Sequence, residues 1–333
     1  MGVFVLVAVL LVALLLGLVP HLLWFFAWLL GKAFHYSVSY APFGKSAVAL
    51  ILLAWGVMAY GYYVGRFTFD VQRVTYTHPE MPAAFDGYKV VHISDLHLST
   101  FNDSPKTLQR IVDSINAQQP DLICFTGDLI SLGVEEALPY AEVLSKLSAK
   151  DGVLSVLGNH DFMIYSRNYK SDEERKAATE QLVAFQREKL GWKVLRNESV
   201  VLKRGEDTLS VLGVDNHACK AQGYHTVSLG DLPKAMEGTK GFRVLLSHDP
   251  THWKAEVLPT TDIPLQLSGH THSAQVRLFG WTPASWTFDE TAGMYEKQDA
   301  SGVRSLYINV GLGCTMPMRI GCNGEITVFT FRM

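Results

Sequence analysis

Leu157-Gly158-Asn159-His160-Asp161 decides the fold, because it closes the apolar run 152–157 with an amide, an imidazole and a carboxylate side by side. A buried strand that ends in such groups leaves them at the edge of a sheet, where open α/β folds place their ligands. The arrangement recurs four times. Residues 90–94 run into Asp95-Leu96-His97, and 122–126 run into Gly127-Asp128. Further on, 242–247 end at His248-Asp249, and 265–268 end at Gly269-His270-Thr271-His272. Core packing alone asks for no Asp, Asn or His at the carboxyl end of five successive strand-like runs.

Between these runs the spacing predicts helices. Ser104-Pro105 supplies an N-cap with proline at the first helical position, and Leu108, Ile111, Val112 and Ile115 follow at helical intervals. A second helix is expected over 134–147. A third covers 173–190, with Leu182, Phe185 and Leu190 as its buried stripe. Strands are expected at 88–94, 192–195, 199–203, 208–214, 275–279, 305–310 and 325–331. The pattern is βαβαβ followed by a β-rich second half, which gives an α/β sandwich of two sheets flanked by helices.

The 333 residues allow one large domain plus an appendage. Residues 1–69 contain no Asp or Glu, and the only Lys or Arg before Arg66 are Lys32 and Lys45. Within this part, 3–30 and 47–65 are almost wholly apolar. Roughly 20 such residues cross a bilayer as a helix, so both are expected to be transmembrane. A cleaved signal peptide fits the first run less well, since it lacks a basic start and is too long. Tyr60, Tyr62, Tyr63 and Arg66 suit an interfacial belt with a basic anchor. Gly61 and Gly65 have the small-xxx-small spacing of close helix contacts, although a simple kink explains them as well. The division expected is therefore a membrane anchor over 1–69, a polar connector over 70–85 and a soluble domain over 86–333. The positive-inside count does not choose an orientation.

Cys124, Cys219, Cys314 and Cys322 form no CxxC pair, which excludes a zinc ribbon or a thioredoxin-like motif. Cys124 reads as a buried apolar residue, while Cys314 and Cys322 would pair only in an oxidising space. The net charge of −3 argues against a broad nucleic-acid surface; without Lys32 and Lys45, 27 basic residues face 32 acidic ones.

Asp, Asn and His without thiolate make an oxygen and nitrogen donor set suited to Mn, Fe or Zn. Two such ions need a bridging carboxylate, and Asp128, flanked by Gly127, is the natural candidate. Asp95-x-His97, Gly127-Asp128, Gly158-Asn159-His160-Asp161, His248 and Gly269-His270-x-His272 together resemble, in order, the motif set of the calcineurin-like metallophosphoesterases. The resemblance implies a four-layer αββα fold and two divalent metal ions, manganese favoured. It puts Asp95, His97, Asp128 and His272 on one ion, and Asp128, Asn159, His248 and His270 on the other. His160 would face the substrate as a proton donor with Asp161 orienting its ring, and a bridging hydroxide would attack phosphorus.

The chain is also similar to membrane-associated bacterial phosphodiesterases that act on lipids, including enzymes that cleave the pyrophosphate of UDP-diacylglucosamine. That similarity implies a phospholipid or lipid-linked phosphoester substrate, a bacterial inner membrane and, by a small margin, a cytoplasmic active site. The aromatic stretch with Trp281, Trp286, Phe288 and Tyr295 would then line an acyl channel, dip into the interface or pack as a cap. A broad phosphomonoesterase and an inactive membrane-tethered binding protein are the alternatives. The complete donor set speaks against the latter. His92, His217, His225 and His252 are read as hydrogen-bonded structural residues, and Asp249 as a turn former before Pro250.

Overall fold

The structure is a computed structural model and describes residues 2–101, 105–220 and 226–333. The N-cap expected at Ser104, and His225, lie outside the described residues. The chain divides into two units, one running up to Arg66 and joined by Pro317–Ile320, the other holding the remainder.

In the first unit the apolar runs form α1 (Gly2–Ala33) and α2 (Ala41–Tyr63). Both are long and apolar enough to cross a membrane. Their large side chains, Leu15 and Leu53 among them, point outward, whereas Ala13 and Ala47 are buried. A Cβ on Gly17 of α1 would lie 2.7 Å from Ile51 of α2, so small residues let the helices approach. Gly61 and Gly65 serve a different contact from the helix pairing suggested by their spacing. The Arg319 N–H donates to the Gly61 carbonyl at 3.2 Å, and a Cβ on Gly61 would lie 2.8 Å from Ile320. Nor is Arg66 an exposed anchor, for it is buried with its guanidinium 4.4 Å from the Tyr62 ring centre.

Among the described residues the second unit carries twelve strands: β1 (Phe69–Thr77), β2 (Lys89–Ile93), β3 (Leu122–Phe125), β4 (Val153–Ser155), β5 (Lys193–Val194), β6 (Glu198–Arg204), β7 (Asp207–Gly213), β8 (Phe242–Leu246), β9 (Leu265–Ser268), β10 (Gly293–Asp299), β11 (Gly302–Ile308) and β12 (Gly324–Arg332). They form two six-stranded sheets, ordered β1-β12-β2-β3-β4-β5 and β10-β11-β9-β8-β7-β6. Within each sheet the site-bearing strands, β2-β3-β4 and β8-β9, run parallel.

Alternation along the strands sorts the core into layers. Val90, Leu122, Cys124 and Phe329 meet Val211, Val244, Leu246 and Leu267 between the sheets. On the outer face of the first sheet, Val91, Ile93, Ile123 and Phe125 pack under α3 (Pro105–Asn116) through Leu108, Ile111, Val112 and Ile115, and under α5 (Asp172–Ala184) through Leu182. Beyond the second sheet, Leu212 and Leu245 pack with Leu232, Trp253 and Val257. The result is the αββα sandwich expected.

Three local expectations change. The polar stretch 70–85 is part of the sandwich, because β1 pairs in parallel with β12 and Met81 and Phe85 are buried between the sheets. Its outward Asp70, Gln72 and Arg73 conceal a half-buried strand. Over 134–147 only short turns and α4 (Ala141–Leu144) form, Pro139 lacking the N–H a continuous helix would need. Residues 275–279 are not a strand, since Ser273, Ala274 and Gln275 have φ of 50–59° and the chain then turns tightly at Phe279-Gly280. Cys314 and Cys322 are both buried free thiols.

Candidate metal centre

Every expected donor sits on a loop leaving the carboxyl end of a strand: Asp95 and His97 after β2, Asp128 after β3, Asn159 after β4, His248 after β8, and His270 and His272 after β9. These loops make tight reversals. Asp95, His97, Asp128, His270 and His272 all have φ between 37° and 72°, a region that ordinary residues avoid. Such strain persists only where the surroundings over-determine it, and it gathers at functional sites. Glycine makes the crowding possible. A Cβ on Gly158 would collide with the Asp128 carboxylate, and one on Gly269 would collide with Ser94 and Asp95.

The donors converge in two groups that share Asp128. In one, His272 Nε2 is 3.1 Å from Asp95 Oδ1 and 3.1 Å from His97 Nε2, which is 3.5 Å from Asp128 Oδ2. In the other, His248 Nε2 is 3.2 Å from Asp128 Oδ2 and 3.0 Å from Asn159 Oδ1, with His270 alongside. All seven side chains belong to residues that are buried or nearly so. Lone pairs turned toward one another out of water in this way could hold cations between them.

Outer contacts fix the rings in the sense a metal requires. His248 Nδ1–H donates to the Thr126 carbonyl at 2.7 Å, and Ser131 Oγ lies 3.3 Å from His97 Nδ1, so both rings turn Nε2 inward. The donor set of carboxylate, imidazole and amide therefore fits a pair of divalent ions of the Mn, Fe or Zn type.

Electrostatics follow from this packing. Burial alone would raise the Asp128 carboxyl, but His248, His160 and His97 outweigh it and hold it well below the usual carboxylate range. Burial would lower His248, yet Asp128 and then Asp95 raise it to about 10. His97 is pushed well down by burial and next by the neighbouring His160, and burial also lowers His270.

His160 lies at the rim, its ring centre 4.7 Å from that of His97. Its Nδ1–H donates to the Ser131 carbonyl at 2.7 Å, so Asp161 does not orient the imidazole as expected. Asp161 accepts instead from the backbone N–H groups of Asp128, Leu129, Ile130 and Gly158 at 2.9–3.3 Å, tying the β3 and β4 loops together. Burial and the Asp128 charge push its carboxyl up to about 7. Asp249 is a turn former, its Oδ1 accepting from the Thr251 N–H and hydroxyl, and its Oδ2 is 3.8 Å from His270 Nε2. His92 is structural, with Nε2 2.9 Å from Thr126 Oγ1.

Three residues at the site are not among those the sequence assigns to the metal centre, Phe288 being expected there only as part of the aromatic stretch. The Tyr165 hydroxyl accepts from Asn159 Nδ2 at 3.0 Å while its ring lies 4.3 Å from that of His160. Ser131 holds two of the histidines, and Phe288 stands edge-on to His270 at 5.6 Å. Each belongs to an aperiodic loop, so only the folded chain brings it to the centre.

Residues 88–274 match the calcineurin-like phosphoesterase family. The chain is 32% identical over 295 residues to the uncharacterized metallophosphoesterase YkuE of Bacillus subtilis, covering 84% of this chain and 92% of that one. It is 30% identical to a transmembrane protein with metallophosphoesterase domain from Danio rerio, over 87% of this chain and 63% of the relative's length. With UDP-2,3-diacylglucosamine pyrophosphatase LpxG of Chlamydia trachomatis it shares 26% identity, over 73% of this chain and 83% of that enzyme. The strand-end motifs, the two groups of donors around Asp128 and these similarities lead to one conclusion: the chain belongs to the calcineurin-like phosphoesterases, which are metal-dependent hydrolases of phosphoric esters.

Proposed function

We propose that this chain is a membrane-anchored, dinuclear phosphoesterase that hydrolyses a phosphodiester or pyrophosphate bond of a lipid-linked substrate. The observation that carries the reading is the sharing of Asp128 by two groups of donors, Asp95, His97 and His272 on one side and Asn159, His248 and His270 on the other. Two divalent ions held there, manganese favoured, supply Lewis-acid activation of water and neutralise phosphoryl oxygens. The protein's own part is positional. Asp161 locks the two loops that present Asp128 and Asn159. His160, anchored through Nδ1, keeps Nε2 for the phosphoryl group or the departing oxygen.

Residues up to Arg66 form the anchor, and the hydrolase domain starts with β1. A lipid substrate is supported by the apolar helices, by the chlamydial relative's being a UDP-2,3-diacylglucosamine pyrophosphatase and by an outward-facing aromatic hairpin. In that hairpin Leu278 and Trp281 exchange backbone hydrogen bonds of 2.9 and 3.0 Å across Phe279-Gly280. Phe279, with φ of 53°, is fully exposed at its tip, and Trp286, 78% exposed, stands 5.3 Å from Trp281. Aromatic rings held in water at a strained turn suit the membrane interface.

The test is Mn²⁺-dependent hydrolysis by the detergent-purified chain of UDP-diacylglucosamine, a small phosphodiester and a phosphomonoester, with Asp128→Asn as the blank. UMP release from the lipid, absent in Asp128→Asn, is the expected result. Turnover of the small esters alone would overturn the lipid assignment, and undiminished activity of Asp128→Asn would overturn the dinuclear one.

A further inference from the structure

Away from the donors around Asp128, a second convergence of ligand-type atoms joins two segments of the same domain. His217 lies in the stretch after β7, and His252 and Glu256 lie one turn apart on the helical segment that follows β8. We propose that these three residues hold a further divalent cation of the zinc class.

Three observations support it. The ligand atoms of His217, His252 and Glu256 all lie within 4.8 Å of one another. Glu256 Oε2 is 2.8 Å from His252 Nε2 and 3.6 Å from His217 Nε2. Tetrahedral zinc, with bonds of roughly 2.0–2.2 Å to nitrogen and oxygen, separates its ligands by about 3.4 Å, so the present spacings bracket that value.

Next, both imidazoles are held from behind. His252 Nδ1 is 2.9 Å from Ser247 Oγ, and His217 Nδ1 is 3.2 Å from the Gly230 carbonyl. An outer bond to Nδ1 with Nε2 turned inward is the arrangement that orients metal-binding histidines. Gly230 is part of it, since a Cβ there would lie 2.7 Å from the His217 Cβ.

Charge completes the case. Among the described residues, Glu256 meets no lysine or arginine, its ion-pair partners being these two histidines. The site opens to solvent on one side, because the His217 and Glu256 side chains are 22% and 29% exposed while that of His252 is fully buried. Two histidines, one carboxylate and one open position form a three-ligand site of the zinc type. A cation there would clamp the stretch after β7 to the helical segment that begins just beyond His248.

The test uses the full detergent-purified chain, stripped with chelator, loaded with Zn²⁺, dialysed and assayed for bound zinc. His217→Ala and Glu256→Gln should each hold one zinc fewer per chain than the unaltered protein, and both should keep Mn²⁺-dependent activity on a small phosphodiester. Gly230→Ala, which leaves all three ligands in place, should weaken that one equivalent by about 10–100-fold. In Asp128→Asn the equivalent should remain and show the visible spectrum of tetrahedral Co²⁺ after cobalt substitution. Equal zinc content in the unaltered chain, His217→Ala and Glu256→Gln would overturn the proposal.

Discussion

His160 shows how much a single hydrogen bond decides at the residue scale. Because its Nδ1–H is committed to the Ser131 carbonyl, the ring is held in one orientation with Nε2 as the nitrogen a substrate would meet. Donation of a proton to a departing oxygen is worth roughly 10²–10⁴-fold in rate. His160→Ala should therefore lower kcat by about that range while metal content stays the same, as measured by turnover beside elemental analysis. Loss of metal together with rate would make His160 a ligand instead. Asp161, its neighbour, acts through the backbone, because a carboxylate that accepts four N–H groups fixes the loop rather than the ring.

At the scale of elements, the site is built from strand ends and the aromatic surface from one hairpin. Parallel strands in each sheet align their carboxyl ends, so loops far apart in sequence present their donors to one point. The hairpin at 278–281 has little to do with that packing. Phe279 and Trp286 face outward, and their removal leaves no cavity in the core. Replacing Phe279, Trp281 and Trp286 together with Ala should reduce turnover of a lipid substrate at least about tenfold while sparing a small chromogenic phosphodiester and the melting temperature. Equal loss on both substrates would assign these rings to folding.

For the molecule as a whole, metal and proton compete. Without metal, His248 is raised to about 10 by Asp128 and Asp95, so its bound proton stabilises the fold fully below its unfolded pKa of about 6.5. That contribution is lost as pH rises through about 10. Asp128, held below its usual range, contributes above about pH 4 and loses its share on acidification. A cation must displace the His248 proton, which is easier at high pH. Metal should thus raise the melting temperature more at pH 8.5 than at pH 6, and chelation should lower it at both. At a free ion concentration about 1,000 times Kd, one site adds about 4 kcal/mol. A metal-induced shift that does not grow with pH would contradict the pairing of His248 with Asp128.

The sequence by itself determined the candidate donors, since an apolar run that stops at Asp, Asn or His carries its own period and its own end. The four layers and the apolar helices were legible for the same reason, being written in local spacing and composition. Tertiary structure alone decided what depends on partners distant in sequence. It made a strand of 70–77 through pairing with β12, turned Asp161 toward backbone amides, and drew Tyr165 and Ser131 to the centre. It also bent 273–280 out of a sheet and brought His217 beside His252. Pairing register and left-handed backbone are set by contacts between segments, and no run of residues read alone contains them.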